Sequence, residues 1–321
     1  MTTIFLIVIY LLLFSFSCFL LIKTGSLTVQ SLIKIAQFLQ WKEFIVSFII
    51  MAFATTLPEL FVGISSALNK LPEISLNNVL GSNVINLSLA IGLLILLYGK
   101  NLEITQKSAI KANSIYLLLI GFLPIFLFLD RNLSRIDGAI LLLTAIIYFG
   151  KLIFEEKKHT QLMPNSIPFK VFLRDILTFL ISVIFLLIAA QGMTYSVINL
   201  AELSKISLGI ISLILIALST NLPEIIFGIK AVKLGRPYLA LGDFIGASVV
   251  NCTFVLGITA IIYPISVNSL SPYMISMIFF ILNIIILNIF IRTKQQISKK
   301  EAIFLICFYI LFLILTIKNI V

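Results

Sequence analysis

The chain has 321 residues, 60% of them apolar and 11% charged, with a mean hydropathy of +1.17. A soluble domain is nearer half apolar and a quarter charged, so lipid must solvate much of this surface, and a water-soluble enzyme or binding module is excluded. The net charge of +10 would fit a nucleic-acid binder in a soluble chain, but here the basic residues lie in short connections between apolar runs, where membrane topology accounts for them.

Ten apolar runs long enough to span a bilayer follow one another, at roughly 2–22, 43–68, 76–98, 108–129, 138–154, 172–194, 207–229, 240–263, 270–291 and 302–318. No run alternates as a barrel strand does, so the spans are predicted to be α-helices. The first lacks a basic leader and a small-residue cleavage site and reads as a retained span; the amphipathic stretch 24–42 extends it. The polar connection 155–170 separates two halves of five spans, 1–154 and 171–321, and holds the lone His159, a solvated loop residue. Cys18, Cys252 and Cys307 fall far apart within apolar runs, as small fillers rather than a metal or disulfide framework. Gln191 could bond across helices or line the pathway, with packing favoured, and the acids at span ends are assigned to solvated positions.

Orientation follows from Lys and Arg. With the N-terminus outside, 18 of them fall on the cytoplasmic side and 5 (Lys70, Arg131, Arg135, Lys205 and Lys318) on the outer side, which predicts both termini outside a cell membrane.

The two halves repeat. Residues 55–92 align without gaps on 220–257, with 12 identities in 38 positions, among them Pro58/Pro223, Glu59/Glu224, Gly81/Gly246 and Asn86/Asn251. Five spans separate the copies. Five is odd, so the second copy enters the membrane from the opposite side, the inverted-repeat plan of secondary transporters with a site near the midplane.

Each copy opens with an acid after a helix break, "AFATTLPELFVG" (52–63) and "ALSTNLPEIIFG" (217–228). A proline removes one N–H and pushes away the carbonyl four residues earlier: that of Ala54 for Pro58 and of Ser219 for Pro223. In lipid a freed carbonyl must find a partner or bind something. Thr55 and Thr56 add hydroxyls in the first copy, Thr220 and Asn221 a hydroxyl and an amide in the second. Glu59 and Glu224 follow, and an intramembrane charge costs roughly 2.5–3.5 kcal/mol on insertion scales. The second part of each copy, "NNVLGSNVIN" (77–86) and "GDFIGASVVN" (242–251), puts Asn78, Ser82 and Asn86 on one helix face, with Asp243, Ala247 and Asn251 on the equivalent face. Asn86 and Asn251 can offer amide oxygens. Hard oxygens without thiolate or imidazole suit Ca²⁺ or Na⁺.

These boxes resemble the α-repeats of the cation/Ca²⁺ exchanger superfamily, whose sodium/calcium branch carries G-T-S-L-P-E and G-N-x-x-G-S-N-x-x-N/D. The match covers the motif regions 54–92 and 219–257, and the ten spans extend it along the chain. The resemblance implies Ca²⁺/Na⁺ antiport by alternating access. Glu59 and Glu224 would be central carboxylates, Thr55 and Thr220 would offer hydroxyl and backbone oxygens, and Thr56 and Ser82 would line a flanking Na⁺ site. It differs where the family often has an acid and this chain has Asn251, and where small hydroxyls are replaced by Asn221 and Ala247. Asp243 is an extra acid, read either as a helix N-cap near the membrane surface or as a group at the ion entrance. Two central carboxylates balance one Ca²⁺ or two monovalent ions, an expectation of electroneutral exchange unless Asp243 restores a third site.

Rival readings are weaker. A Ca²⁺/H⁺ antiporter would use the same carboxylates for two protons. An intramembrane aspartyl-type protease would leave the proline breaks and polar stripes unexplained, and a channel fits opposed repeats less well than alternating access. No phosphate-binding G-x-x-x-x-G-K-[ST] loop appears, so ATP drive is not expected. The expected partners are the lipid bilayer, Ca²⁺ and Na⁺ or H⁺, with no nucleic acid and no organic cofactor, in a monomer.

Overall fold

The computed structural model describes residues 2–39, 49, 51–103, 109–155, 168–204, 208–233, 235, 237–293 and 296–318. His159, most of the connection 155–170, and the segment leading into the span expected at 43–68 lie outside the described residues.

Helices dominate, as apolar runs without barrel-like alternation require. Among the described residues eight are long and apolar enough to cross a membrane: Phe5–Thr28, Glu73–Tyr98, Arg135–Phe154, Phe169–Leu203, Ser212–Lys233, Pro237–Ile262, Ser271–Arg292 and Lys299–Lys318. Two shorter apolar helices, Leu57–Leu68 and Ile115–Asp130, lie within the two remaining expected spans. The chain is a multi-pass membrane protein. Two pairs of two-residue antiparallel strands clasp helix ends, Leu102–Glu103 with Gln296–Ile297 and Asn132–Leu133 with Ile265–Ser266.

Burial sorts the helices into two groups. The most apolar windows of Glu73–Tyr98 and Pro237–Ile262 are 83% and 78% buried, those of Phe5–Thr28 and Phe169–Leu203 only 11% and 18%. The latter belong to the two longest helices, α1 (Thr2–Phe38) and α2 (Phe169–Ser204), which pack along each other at the periphery. The continuous run to Phe38 agrees with the reading of 24–42 as an extension of the first span. Thr28 donates to Ser182 across this pair at 2.8 Å, and Lys34 meets Asp175 at 3.5 Å.

The buried helices carry the repeat motifs. In the first half, helix α3 (Met51–Thr55) stops at Thr56, and α4 (Leu57–Leu68) restarts with Pro58 in its first turn. In the second, α5 (Ala217–Thr220) stops at Asn221, and α6 (Leu222–Lys233) restarts around Pro223. Both breaks close on α1 at Gly25, where a Cβ would lie 3.3 Å from Pro223 and 3.8 Å from Pro58. The polar stripes ride on α7 (Glu73–Val84) and α8 (Pro237–Val250), each followed by a widened π-helical turn, Ile85–Ala90 and Asn251–Val255. Such turns are rare and concentrate at functional sites. Helix α7 crosses the segment before α5 at Gly81, where a Cβ would sit 2.4 Å from the Leu213 carbonyl oxygen, so backbone approaches backbone there.

Candidate cation-binding site

All the residues singled out from the sequence lie in the interior. Thr55, Glu59, Ser82, Asn86, Thr220, Asn221, Glu224 and Asn251 are fully buried, and Ala54, Thr56 and Ser219 nearly so. The two proline breaks bring Glu59 and Glu224 within electrostatic reach of each other, with Asp243 also close to Glu224. The hydroxyls of Thr220 and Ser82 lie beside the Glu59 carboxyl, yet neither closes a hydrogen bond to it: all four carboxylate oxygens of Glu59 and Glu224 lack a protein partner. No basic side chain pairs with either acid among the described residues. Buried polar groups are overwhelmingly satisfied in folded proteins, and an unpaired buried carboxylate is costly, so this concentration of unmet acceptors makes the pair a candidate cation site.

Hydrogen bonds knit the two copies together around these acids. Thr55 Oγ1 divides its one proton between the Met51 carbonyl at 2.9 Å and Asp243 Oδ1 at 3.1 Å, and its counterpart Thr220 Oγ1 divides its own between Asn78 Oδ1 at 3.2 Å and the Ala217 carbonyl at 3.3 Å. Asn221 donates to Ser82 Oγ at 2.7 Å and to the Ala217 carbonyl at 2.6 Å. Asn251 donates to Asn83 Oδ1 at 3.3 Å, and Asn83 in turn to Cys252 Sγ at 3.2 Å. The oxygens of Asn221, Asn251 and Asn86 keep no protein partner. Thr56 bonds only backward, to the Ala52 carbonyl at 2.6 Å and to that of Phe53 at 3.3 Å. Pro58 and Pro223 cannot supply the helical N–H to the carbonyls of Ala54 and Ser219, although the Ser219 carbonyl still accepts a backbone N–H at the end of α5. Among the described residues no three His, Cys, Asp or Glu side chains converge tightly enough to hold one metal ion. Hydroxyls, amides and carbonyls would therefore complete any shell around the two central acids, a donor set that fits Ca²⁺ or Na⁺.

Two expectations change. Asp243 is no N-cap near the surface: it sits in the body of α8, fully buried, with Oδ2 unpartnered. Gln191 bonds across helices, one of its expected roles: its Oε1 accepts from Ser65 Oγ at 2.5 Å. Cys252 is buried in the polar network rather than serving as an inert filler. The sequence assigns Asn83 to the motif 77–86 without a contact of its own. Its position beside Ser82 in the stripe motif was the available signal.

A buried, oxygen-lined site between broken helices of a multi-pass bundle defines a membrane protein of the ion-transport class. Residues 9–154 and 175–318 match the family profile described as sodium/calcium exchanger protein. The chain belongs to that family. It is 27% identical to the sodium/calcium exchanger MaX1 of Methanosarcina acetivorans, over 92% of this chain and 94% of that one. Its fold is similar to that of the sodium-calcium exchanger NCX_Mj, solved after soaking with Na⁺ and Sr²⁺ (TM-score 0.69, 22% identity, covering 95% of this chain and 98% of that one). It is also similar to the H⁺/Ca²⁺ exchanger CAX (TM-score 0.80, 16% identity, covering 97% and 85%).

Proposed function

We propose that the protein is a secondary active antiporter, not an enzyme, that exchanges Ca²⁺ for Na⁺ across the cell membrane by alternating access. The observation that carries this reading is the pair Glu59 and Glu224, fully buried at facing helix breaks with four unpartnered carboxylate oxygens. The pair would be shared in turn by Ca²⁺ and by the counter-ion. Thr55 and Thr220 would contribute hydroxyls, Ala54 and Ser219 their backbone carbonyls, Asn86, Asn251 and Asn221 amide oxygens, and Thr56 and Ser82 a flanking Na⁺ position. Ten spans in two inverted halves, 1–154 and 171–321, joined by a cytoplasmic connection at 155–170, would expose this site to each side in turn. Both termini would lie outside, in a monomer without ATP or an organic cofactor.

A second reading, exchange of Ca²⁺ for protons, draws on the second copy's poorer flank. Ala247 offers no hydroxyl, and the Asn221 amide nitrogen is already committed to Ser82 and Ala217. Ca²⁺ uptake by proteoliposomes decides between them. Uptake driven by an imposed Na⁺ gradient at fixed pH supports Na⁺ coupling; uptake driven only by a pH gradient selects protons; uptake under neither rejects antiport. Orientation is tested by single cysteines in place of Lys157 or Lys205, in a chain stripped of its native thiols. Only the one at 205 should react from outside intact cells.

A further inference from the structure

Asp243 has a symmetry counterpart, and the comparison isolates what its charge is for. The Thr55 hydroxyl lies 3.1 Å from Asp243 Oδ1, and that of Thr220, its counterpart, 3.2 Å from Asn78 Oδ1, each also within reach of a carbonyl of its own helix, Met51 at 2.9 Å and Ala217 at 3.3 Å. The amide oxygen of Asn78 makes this cross-repeat bond as well as a carboxylate does. The bond itself therefore does not require an acid. Burying a charge where a neutral isostere serves is unfavourable unless the charge is used. Asp243 is fully buried, meets no basic side chain among the described residues, and keeps Oδ2 without a partner. Its carboxylate is close enough to Glu59 and Glu224 for electrostatic interaction, yet the three acids do not converge on one point.

We propose that Asp243, with the Thr55 hydroxyl beside it, forms a separate monovalent-cation subsite next to the Glu59–Glu224 pair, present in the second half only. The inference rests on the reading of that pair as the central cation ligands. Its chemistry is a single carboxylate with a hydroxyl, suited to Na⁺ rather than to a divalent ion, which would seek more than one acid. It also replaces the expectation of an electroneutral cycle. Two central carboxylates balance two monovalent ions; a third buried acid accommodates one more, so that each Ca²⁺ would exchange against one additional positive charge.

Tracer ²²Na⁺ binding to the purified full-length chain in detergent, without Ca²⁺, tests the subsite directly. Asp243→Asn copies Asn78 and preserves the bond from Thr55. It is expected to hold one Na⁺ fewer than wild type, with the Hill slope for Na⁺ falling by about one. Equal Na⁺ binding by the variant overturns the proposal. So does a wild-type chain that binds no more than two Na⁺, a result that needs no variant to fold. The charge moved per Ca²⁺ in voltage-clamped proteoliposomes is a ratio independent of rate. It should fall by one elementary charge in Asp243→Asn, and an unchanged ratio contradicts the subsite. Glu59→Gln and Glu224→Gln, assayed alongside, separate the two claims. If they bind Na⁺ and Ca²⁺ as wild type does, the central-pair reading fails, while the count for Asp243→Asn still decides the subsite.

Discussion

The two motif regions, 54–92 and 219–257, keep the same skeleton and differ in how they spend their polar groups. Each breaks a helix at a proline, buries a glutamate one residue later and ends its stripe in a π-helical turn that begins at or just before an asparagine. The flanks diverge. Asn221 reaches across to Ser82, whereas the counterpart of that bond, from Thr56 to Ala247, cannot form, and Thr56 folds back on its own helix. Thr55 meets an acid where Thr220 meets an amide. What the two copies share is therefore the pair of buried carboxylates and the backbone that aims them. The surrounding oxygens are free to specialise, so that one flank carries charge and the other is neutral and largely satisfied by the protein.

The strongest challenge to this division is to remove the shared acids one at a time. Glu59→Gln and Glu224→Gln should each lower Ca²⁺ transport by at least about 100-fold, the scale of leaving a buried ionic partner unmatched, while the protein still inserts. Tracer uptake by reconstituted variants measures it, and near-normal flux in either would mean that the copies are not equal partners. A smaller effect separates skeleton from flank. Gly81→Ala would drive a methyl to within 2.4 Å of the Leu213 carbonyl oxygen, so we expect about 1–3 kcal/mol of destabilisation, read as a lower melting temperature in detergent. Gly150→Ala is the control. A Cβ there meets nothing within 4 Å, and replacing a helical glycine should raise stability by about 0.5–1 kcal/mol.

The smallest expected effect makes the flanks alike. Asn221→Thr copies Thr56 and releases Ser82 from its 2.7 Å bond. A freed hydroxyl beside Glu59 should tighten Na⁺ binding by an amount comparable to one hydrogen bond, about 0.5–1.5 kcal/mol. The half-saturating Na⁺ concentration for transport reports it; a rise instead of a fall would show that the Asn221 amide oxygen, unpartnered in the protein, is itself a ligand.

The shared skeleton was legible in the sequence because its chemistry is local. Proline fixes where a helix breaks, and an acid one residue later inside an apolar run has few structural uses. Of the two readings of Asp243, the surface cap fails because depth is not local. Four residues into a span predicted at 240–263, it looked like a surface cap. The helix instead starts at Pro237 and is enclosed by neighbours, so residues near its start are already buried. The role of Asn83 was hidden for a similar reason: its partners Asn251 and Cys252 lie about 170 positions away, and neither helical spacing nor propensity encodes a contact between copies. The π-helical turns were invisible too, since apolar residues around Asn86 and Asn251 suit an ordinary helix equally well.

In the proposed cycle one site is used in turn by Ca²⁺ and its counter-ion. Equilibrium binding of ⁴⁵Ca²⁺ to the purified chain, titrated with Na⁺, tests that most directly. One Ca²⁺ per chain should bind, be displaced competitively by Na⁺, and be lost in Glu224→Gln. Ca²⁺ that stays bound at saturating Na⁺, or that binds undiminished without the Glu224 carboxylate, would contradict it.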